Sequence, residues 1–119
     1  PAWDDTHVVV KLVTVFPRTT PSVKATLQVI SQETGETVAL LAGSELTLRR
    51  TAASSALAAS LLTASVQPPL GSPSTRVLLM IGTGKLAPHL VAAHCAVARY
   101  GEVLVWGRSE AKDAAMVAA

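Results

Sequence analysis

A glycine-rich segment in the second half of the chain combines residue types that could hold a dinucleotide. The five residues before it, 77–81, form a continuous apolar run, which is typical of a parallel strand covered on both faces. Gly82 allows a sharp turn, Gly84 lets a pyrophosphate approach the backbone, and the small Ala87 allows a helix to pack closely on the strand. We expect phosphates to bind at the start of this helix. The candidate cofactor-binding residues of the turn are Gly82, Thr83, Gly84, Lys85 and Leu86. The alternative is another doubly wound fold that contains a glycine turn.

Residues 102–106 are predicted to form a second strand, and the residues that follow it indicate which dinucleotide would bind. An NAD site usually carries Asp or Glu there to bind the ribose 2′-hydroxyl. In this chain Arg108 could instead pair with a 2′-phosphate, Ser109 could donate a hydrogen bond, and Lys112 adds positive charge. The pattern predicts NADPH in preference to NADH. The binding residues would be Gly107, Arg108, Ser109 and Lys112. The alternative is that Arg108 only begins the next helix and that Glu110 binds the ribose.

The first half of the chain contains a lysine in an unusual place. Residues 8–15 are rich in β-branched side chains and apolar on both faces, which predicts a central, buried strand. Lys11 lies in its middle, and a buried ammonium group is unfavourable unless it is paired. Either Lys11 lies near an edge and extends to water, or it points into a cleft and meets an anionic ligand or a carboxylate.

Around this strand the sequence predicts an antiparallel meander followed by a long helix. Residues 24–31 and 37–42 have strand patterns and are joined by a short turn. Ser44 is the expected N-cap of a helix that runs to about Ala64. Of two adjacent arginines on this helix, Arg50 is the better candidate to face inward and clamp a carboxylate. The alternative is that it lies on a solvated face.

Composition limits the classes of function. The 119 residues are 50% hydrophobic and the mean hydropathy is +0.42, which is typical of a globular chain. A net charge of +2 is too small to indicate nucleic-acid binding, and charged residues interrupt each apolar stretch before it reaches the length of a membrane span. Cys95 is the only cysteine, which excludes an internal disulfide and suits a reducing compartment such as the cytoplasm. The spacing of His89, His94 and Cys95 does not place all three on one helix face, so we expect no metal site.

A Pro-, Gly- and Ser-rich stretch, 67–75, has the composition of a linker between two regions, 1–66 and 76–119. A dinucleotide-binding sheet needs more strands than the two that the second region contains. Pro1 is not expected to be a native start without processing. We therefore expect this sequence to be part of a longer protein.

Several of these motifs together resemble the ornithine cyclodeaminase/mu-crystallin family. The Lys-Leu-Val-Thr segment around Lys11 and the Arg-Thr-Ala-Ala segment after Arg50 are the specific ones, and the glycine turn alone would not be. The resemblance covers nearly the whole chain. The segments that carry it are 10–14, 21–22, Gly35, 46–47, 50–54, 82–84 and 105–109.

The resemblance implies an α/β fold in which a mixed α/β catalytic and dimerisation domain precedes the start of a Rossmann dinucleotide-binding domain. Residues 1–66 would belong to the first and residues 76–119 to the second, with the active site between them. Lys11 matches the family's active-site lysine and Arg50 its carboxylate-binding arginine. Thr51 matches a position near the cofactor phosphates and Ser22 one near the nicotinamide. A cytoplasmic homodimer is expected, with neither nucleic acid nor membrane as a partner.

The function implied by the resemblance is NADPH-dependent reduction of the C=N bond of a cyclic 2-imino acid, such as pyrroline- or piperideine-2-carboxylate. The alternatives are an ornithine cyclodeaminase that retains NAD and releases ammonia, and a non-catalytic ligand-binding protein like mu-crystallin. The loop between Phe16 and Pro21 is shorter than in the family. The general acid is expected beyond Ala119, so residues 1–119 alone are expected to be inactive.

Overall fold

The computed structural model describes residues 1–64 and 76–118. The chain divides into two compact units, Pro1–Thr47 and Leu48–Ala119. Strands and helices occur in the described residues of the chain, which confirms the predicted mixed α/β class. The predicted linker, 67–75, lies outside the described residues, so the division into domains at that stretch stays a prediction.

The first unit contains a four-stranded antiparallel sheet in the order β1-β2-β3-β4. Each strand pairs with its neighbour in sequence, which confirms the predicted meander. The strands are β1 (Ala2–Trp3), β2 (His7–Val15), β3 (Val23–Ser31) and β4 (Thr37–Ala42).

The core of this unit lies on one face of β3. Ala25 and Leu27 are buried, and Lys11 pairs directly with Leu27, so both side chains lie on the same face of the sheet. Gly43 donates its backbone N–H to the Ala25 carbonyl at 2.7 Å. A Cβ atom at position 43 would lie 2.5 Å from Leu27 Cδ1, so only glycine allows the chain to approach β3 this closely as helix α1 (Ser44–Leu62) begins. Ser44 is the first helical residue and not the N-cap as predicted.

The prediction that β2 is buried is wrong for the part of the chain that the structure describes, although β2 does lie between β1 and β3 in the sheet. Leu12 and Val15 are 64% and 61% exposed. Burial requires elements that cover the faces of a strand, and among the described residues β2 contacts mainly its sheet neighbours β1 and β3. Because β1 pairs only with Val8 and Val9, the rest of β2 also forms an outer edge of the described sheet. Lys11 is half-buried on this edge, a position from which its ammonium group can reach either solvent or a ligand.

A hydrogen-bonded turn separates β1 from β2. The Asp4 carboxylate accepts hydrogen bonds from the backbone N–H groups of Thr6 and His7, each at 2.8 Å, and from Thr6 Oγ1 at 2.7 Å. The Thr6 bonds, followed by the His7 bond, lower the pKa of Asp4 to about 2, because all three donors favour the ionised carboxylate. The exposed Asp4 therefore has a structural role in a solvated turn.

The second unit contains most of α1 and a β-α-β unit of the predicted kind. The two strands are parallel and pair in register from Val77 opposite Glu102 to Ile81 opposite Trp106. Its elements are β5 (Val77–Ile81), α2 (Ala87–Val97), β6 (Glu102–Trp106) and α3 (Glu110–Val117). Within the described ranges no helix is long and apolar enough to cross a membrane.

Small residues on α1 form the most buried positions of this unit. Ala52 and Ala56 are 2% and 1% exposed and lie one turn apart. Ser55 is on the same side of the helix, and its Oγ lies 3.1 Å from His94 Nε2 on α2. The His94 side chain thus links helices α1 and α2. Residues 1–64 and 76–118 contain no group of three or more His, Cys, Asp or Glu side chains that could hold a metal ion.

Candidate functional site

The glycine turn and the segment after β6 line one cleft of the second unit. The cleft has a volume of about 680 Å³ and lies at the carboxyl ends of the two parallel strands, where open α/β sheets bind their ligands. Its size is typical of a small-molecule site. The lining residues are Ile81, Gly82, Thr83, Gly84, Trp106, Gly107, Arg108, Ser109 and Lys112.

Gly82 makes the turn after β5 possible. Its φ of +103° is in the region that side-chain-bearing residues rarely adopt. Its N–H donates to the Trp106 carbonyl at 2.7 Å, so the turn is attached to the end of the neighbouring strand. The positive φ of Gly82 and its hydrogen bond to the neighbouring strand therefore together fix the conformation of the turn on this side of the cleft.

Gly84 has a different role, because none of the residues that the structure describes requires glycine there. Its φ is not in the left-handed region, and a Cβ atom at this position would meet no atom within 4 Å. The missing side chain leaves open space at the cleft. This space fits a phosphate group that approaches the backbone closely, as the pyrophosphate of a dinucleotide does.

Helix α2 begins beside this space. Ala87 is 2% exposed, which confirms that the third small position of the motif lies where the helix packs closely. Leu86 occupies the N-cap position without a side-chain cap, and proline is in the first turn, where its missing N–H costs little. The partial positive charge of the helix N-terminus thus adds to the suitability of this side of the cleft for an anion.

The opposite side of the cleft is positively charged. The Arg108 and Lys112 side chains are exposed and line it together with Ser109. Ser109 is the N-cap residue of α3, but its hydroxyl makes no capping hydrogen bond and can therefore face a ligand. Glu110, the alternative ribose-binding residue, is not among the lining residues. Two cations and a hydroxyl form a suitable set of donors for a phosphate monoester.

Asp113 in the first turns of α3 was not predicted as part of the site. Its Oδ2 accepts a hydrogen bond from the Gly107 N–H at 2.9 Å. Its Oδ1 would clash with a Cβ atom at position 107, and Thr83 Oγ1 would lie 3.0 Å from the same Cβ. A side chain at position 107 would therefore displace the Asp113 carboxylate from its present place. The only sequence signal is an acidic residue early in a helix, which is too common to indicate this contact.

The comparison with known proteins identifies the family. A model of the ornithine cyclodeaminase/mu-crystallin family matches residues 1–119. The chain belongs to this family. The resemblance seen in the motifs of both halves is thereby confirmed.

Individual relatives in this family are reductases and cyclodeaminases. The chain is 33% identical to a Delta(1)-pyrroline-2-carboxylate reductase of Colwellia psychrerythraea, over 99% of this chain and 36% of the relative. Among solved structures it is similar to a lysine cyclodeaminase described for its recognition of L-lysine, L-ornithine and L-2,4-diamino butyric acid, with a TM-score of 0.77 and 28% identity over 99% of this chain and 33% of that one. It is also similar to Thermococcus litoralis Delta(1)-pyrroline-2-carboxylate reductase in complex with NADH and L-proline, with a TM-score of 0.72 and 25% identity over 92% of this chain and 33% of that one. The chain thus spans about a third of the length of these family members.

Seven of the predicted cofactor-binding residues of this family member line the cleft. Lys85 and Leu86 follow the glycine turn but are not among the lining residues of the cleft. Thr51 lies on α1 in the same unit, and Ser22 lies in the first unit, half-buried near the turn between β2 and β3. The seven residues that line the cleft are Gly82, Thr83, Gly84, Gly107, Arg108, Ser109 and Lys112.

The two predicted catalytic residues belong to different units. Lys11 is half-buried in the first unit, and Arg50 is exposed on α1 in the second. Their roles stay predictions. Ile81 and Trp106 also line the cleft and were missed, although they could have been found, since each is the last residue of a parallel strand.

Proposed function

We propose that this protein is a reductase of cyclic 2-imino acids that uses NADPH in preference to NADH. The observation that carries the proposal is the cleft at the ends of β5 and β6. It combines the empty space beside Gly84 with the cationic side formed by Arg108 and Lys112. When bound, the nicotinamide cofactor would supply a hydride to the carbon of the C=N bond.

The residues of the cleft divide between two parts of the cofactor. The backbone of the turn from Gly82 to Gly84 and the start of α2 would bind the pyrophosphate. Arg108, Ser109 and Lys112 would bind the 2′-phosphate of the adenosine ribose. Thr51 and Ser22 would lie near the phosphates and the nicotinamide, as the family resemblance implies.

The substrate would be bound by cationic side chains. Arg50 would hold the carboxylate of the imino acid through two parallel hydrogen bonds, and Lys11 would hold the carboxylate or assist proton transfer. An imine accepts hydride readily only when it is protonated, so an acid near the nitrogen is required. The similarity to reductases of Delta(1)-pyrroline-2-carboxylate supports this class of substrate. A cytoplasmic homodimer, implied by the family resemblance, completes the proposal.

An assay of imine reduction tests the proposal directly. The full-length protein is incubated with NADPH and either pyrroline-2-carboxylate or piperideine-2-carboxylate, and the absorbance of the reduced nicotinamide is followed. We expect the absorbance to fall while proline or pipecolate accumulates in equal amount. A full-length protein that reduces neither imine would contradict the proposal.

Cyclodeamination is the second candidate, because the similarity to the lysine cyclodeaminase structure has a TM-score of 0.77. The two reactions differ in whether they consume NADPH, since imine reduction does and cyclodeamination does not. A cyclodeaminase releases ammonia from L-ornithine or L-lysine with no net consumption of NADPH. Release of ammonia from L-ornithine or L-lysine without net consumption of NADPH, in a protein that does not reduce the imines, would replace the first proposal by the second.

The cofactor preference rests on Arg108. We expect Arg108→Ala to raise the Kd of NADPH by about tenfold or more, because a hydrogen bond to a charged group contributes about 1.5–3 kcal/mol. The Kd of NADH should change less than about threefold, since NADH lacks the 2′-phosphate. Fluorescence titration of both cofactors measures the two constants.

Arg99→Ala is the matched control for this substitution. Arg99 lies before β6, at the opposite edge of the parallel strands from the cleft. Its removal subtracts the same charge but should leave the ratio of the two constants unchanged. An unchanged ratio in Arg108→Ala would show that this arginine does not determine the preference.

A further inference from the structure

We propose that Asp113 is a positioning residue for cofactor recognition. Its carboxylate would hold the segment from Gly107 to Ser109 in the orientation that presents Arg108 to the 2′-phosphate. This inference rests on the proposed function and adds to it a residue that does not itself line the cleft.

Hydrogen bonds attach both ends of this segment to α3. At one end, Oδ2 accepts the N–H of Gly107 at 2.9 Å. At the other end, the backbone N–H groups of Lys112 and Asp113 both donate to the Ser109 carbonyl at 3.0 Å. Arg108 lies between these two attachments. Its backbone therefore has little freedom as long as the Asp113 carboxylate stays in place.

The carboxylate occupies the space that a side chain at position 107 would take. A Cβ atom there would clash with Asp113 Oδ1, so a residue larger than glycine would displace the carboxylate. Position 107 directly follows the second strand, which is where an NAD site usually carries its ribose-binding acid. This chain places a carboxylate in the same region, but from the helix.

The geometry of this carboxylate excludes the usual role of such an acid. Oδ1 has almost no solvent-accessible surface and no hydrogen-bond partner among residues 1–64 and 76–118, and Oδ2 is already bonded to Gly107. Neither oxygen is presented to a ribose hydroxyl. Burial of a carboxylate oxygen costs free energy. The hydrogen bond from the Gly107 N–H to Oδ2 offsets part of this cost.

The expected effect is confined to one side of the cleft. The glycine turn is attached to β6 by the hydrogen bond from Gly82 to the Trp106 carbonyl, which does not involve Asp113. Loss of the carboxylate would therefore loosen the segment that binds the 2′-phosphate and leave the pyrophosphate side in place. We therefore expect loss of the carboxylate to weaken NADPH binding more than NADH binding.

A double-mutant cycle in the full-length protein tests this inference. We expect Asp113→Ala and Gly107→Ala each to raise the Kd of NADPH about tenfold, which corresponds to about 1.4 kcal/mol, and that of NADH less than about threefold. The double variant should be weaker than Gly107→Ala alone by less than about twofold, because Gly107→Ala already displaces the Asp113 carboxylate. Any further effect of the Cβ at 107 on Thr83 Oγ1 is present in both Gly107 variants and cancels in this comparison. Asp113→Asn should bind NADPH nearly as the unmodified protein does, since its amide oxygen still accepts the Gly107 N–H.

Three outcomes would overturn the inference. First, equal weakening of NADPH and NADH binding in Asp113→Ala would indicate a purely structural role. Second, additive effects in the double-mutant cycle would show that the two residues act separately. Third, tighter NADPH binding by Asp113→Asn would show that the negative charge only repels the phosphate. The unmodified protein provides the separate test of the proposed function. If it binds neither cofactor, that proposal fails before any variant is compared, and this inference fails with it.

Discussion

Replacement of Lys11 by alanine is expected to lower the kcat of imine reduction by about a hundredfold or more. General acid–base groups contribute about 10²- to 10⁴-fold, and Lys11 is the half-buried cation that matches the family's active-site lysine. The affinity for NADPH should change less than about threefold, because Lys11 does not line the cleft at the ends of β5 and β6. Steady-state kinetics and a cofactor titration on the same preparation measure both effects.

Lys24→Ala is the control for Lys11→Ala. Lys24 is an exposed lysine on β3 that pairs with Thr14, so its side chain lies on the opposite face of the sheet from Lys11. We expect normal turnover in this variant. Full activity in Lys11→Ala would remove the lysine from the mechanism. If the unmodified protein shows no turnover and Lys11→Ala binds ligand normally, the alternative of a non-catalytic binding protein is favoured.

Gly84→Val is expected to weaken dinucleotide binding by about tenfold to a hundredfold without unfolding the protein. A Cβ atom at Gly84 meets no described atom within 4 Å, so we expect the described fold to tolerate a side chain there. The same side chain would fill the volume that a pyrophosphate needs, and overpacking of this kind costs about 1–3 kcal/mol. Cofactor titration and thermal unfolding, measured together, separate the two effects.

Gly82→Ala should show the opposite balance. Its φ of +103° means that any side chain strains the backbone, by about 1–3 kcal/mol. This variant should therefore unfold at a lower temperature, whereas Gly84→Val should keep the melting temperature of the unmodified protein. A similar loss of stability in both variants would contradict the distinction between the two glycines.

Local sequence was sufficient to predict the elements that carry the cleft. The bounds of β5 and β6 agree with the prediction because each strand is a short apolar run that a glycine follows directly. The cofactor-binding role of Arg108 was also accessible as a hypothesis, since the residue after a second strand has a known relation to the ribose. The prediction for β2 failed because an apolar pattern shows that a strand can be buried but does not show what covers it.

The sequence by itself determined where the chain turns, which strands are parallel, and which charges lie at their ends, because these follow from the backbone requirements of glycine and from the pattern of apolar residues. Only the tertiary structure decided that the carboxylate of Asp113 takes the side-chain space of Gly107. It also decided that no described atom lies within 4 Å of the Cβ position of Gly84, whereas described atoms crowd that of Gly107. The physical reason is that these are contacts across space, made when helix α3 packs beside the end of β6, and no local pattern encodes such distances.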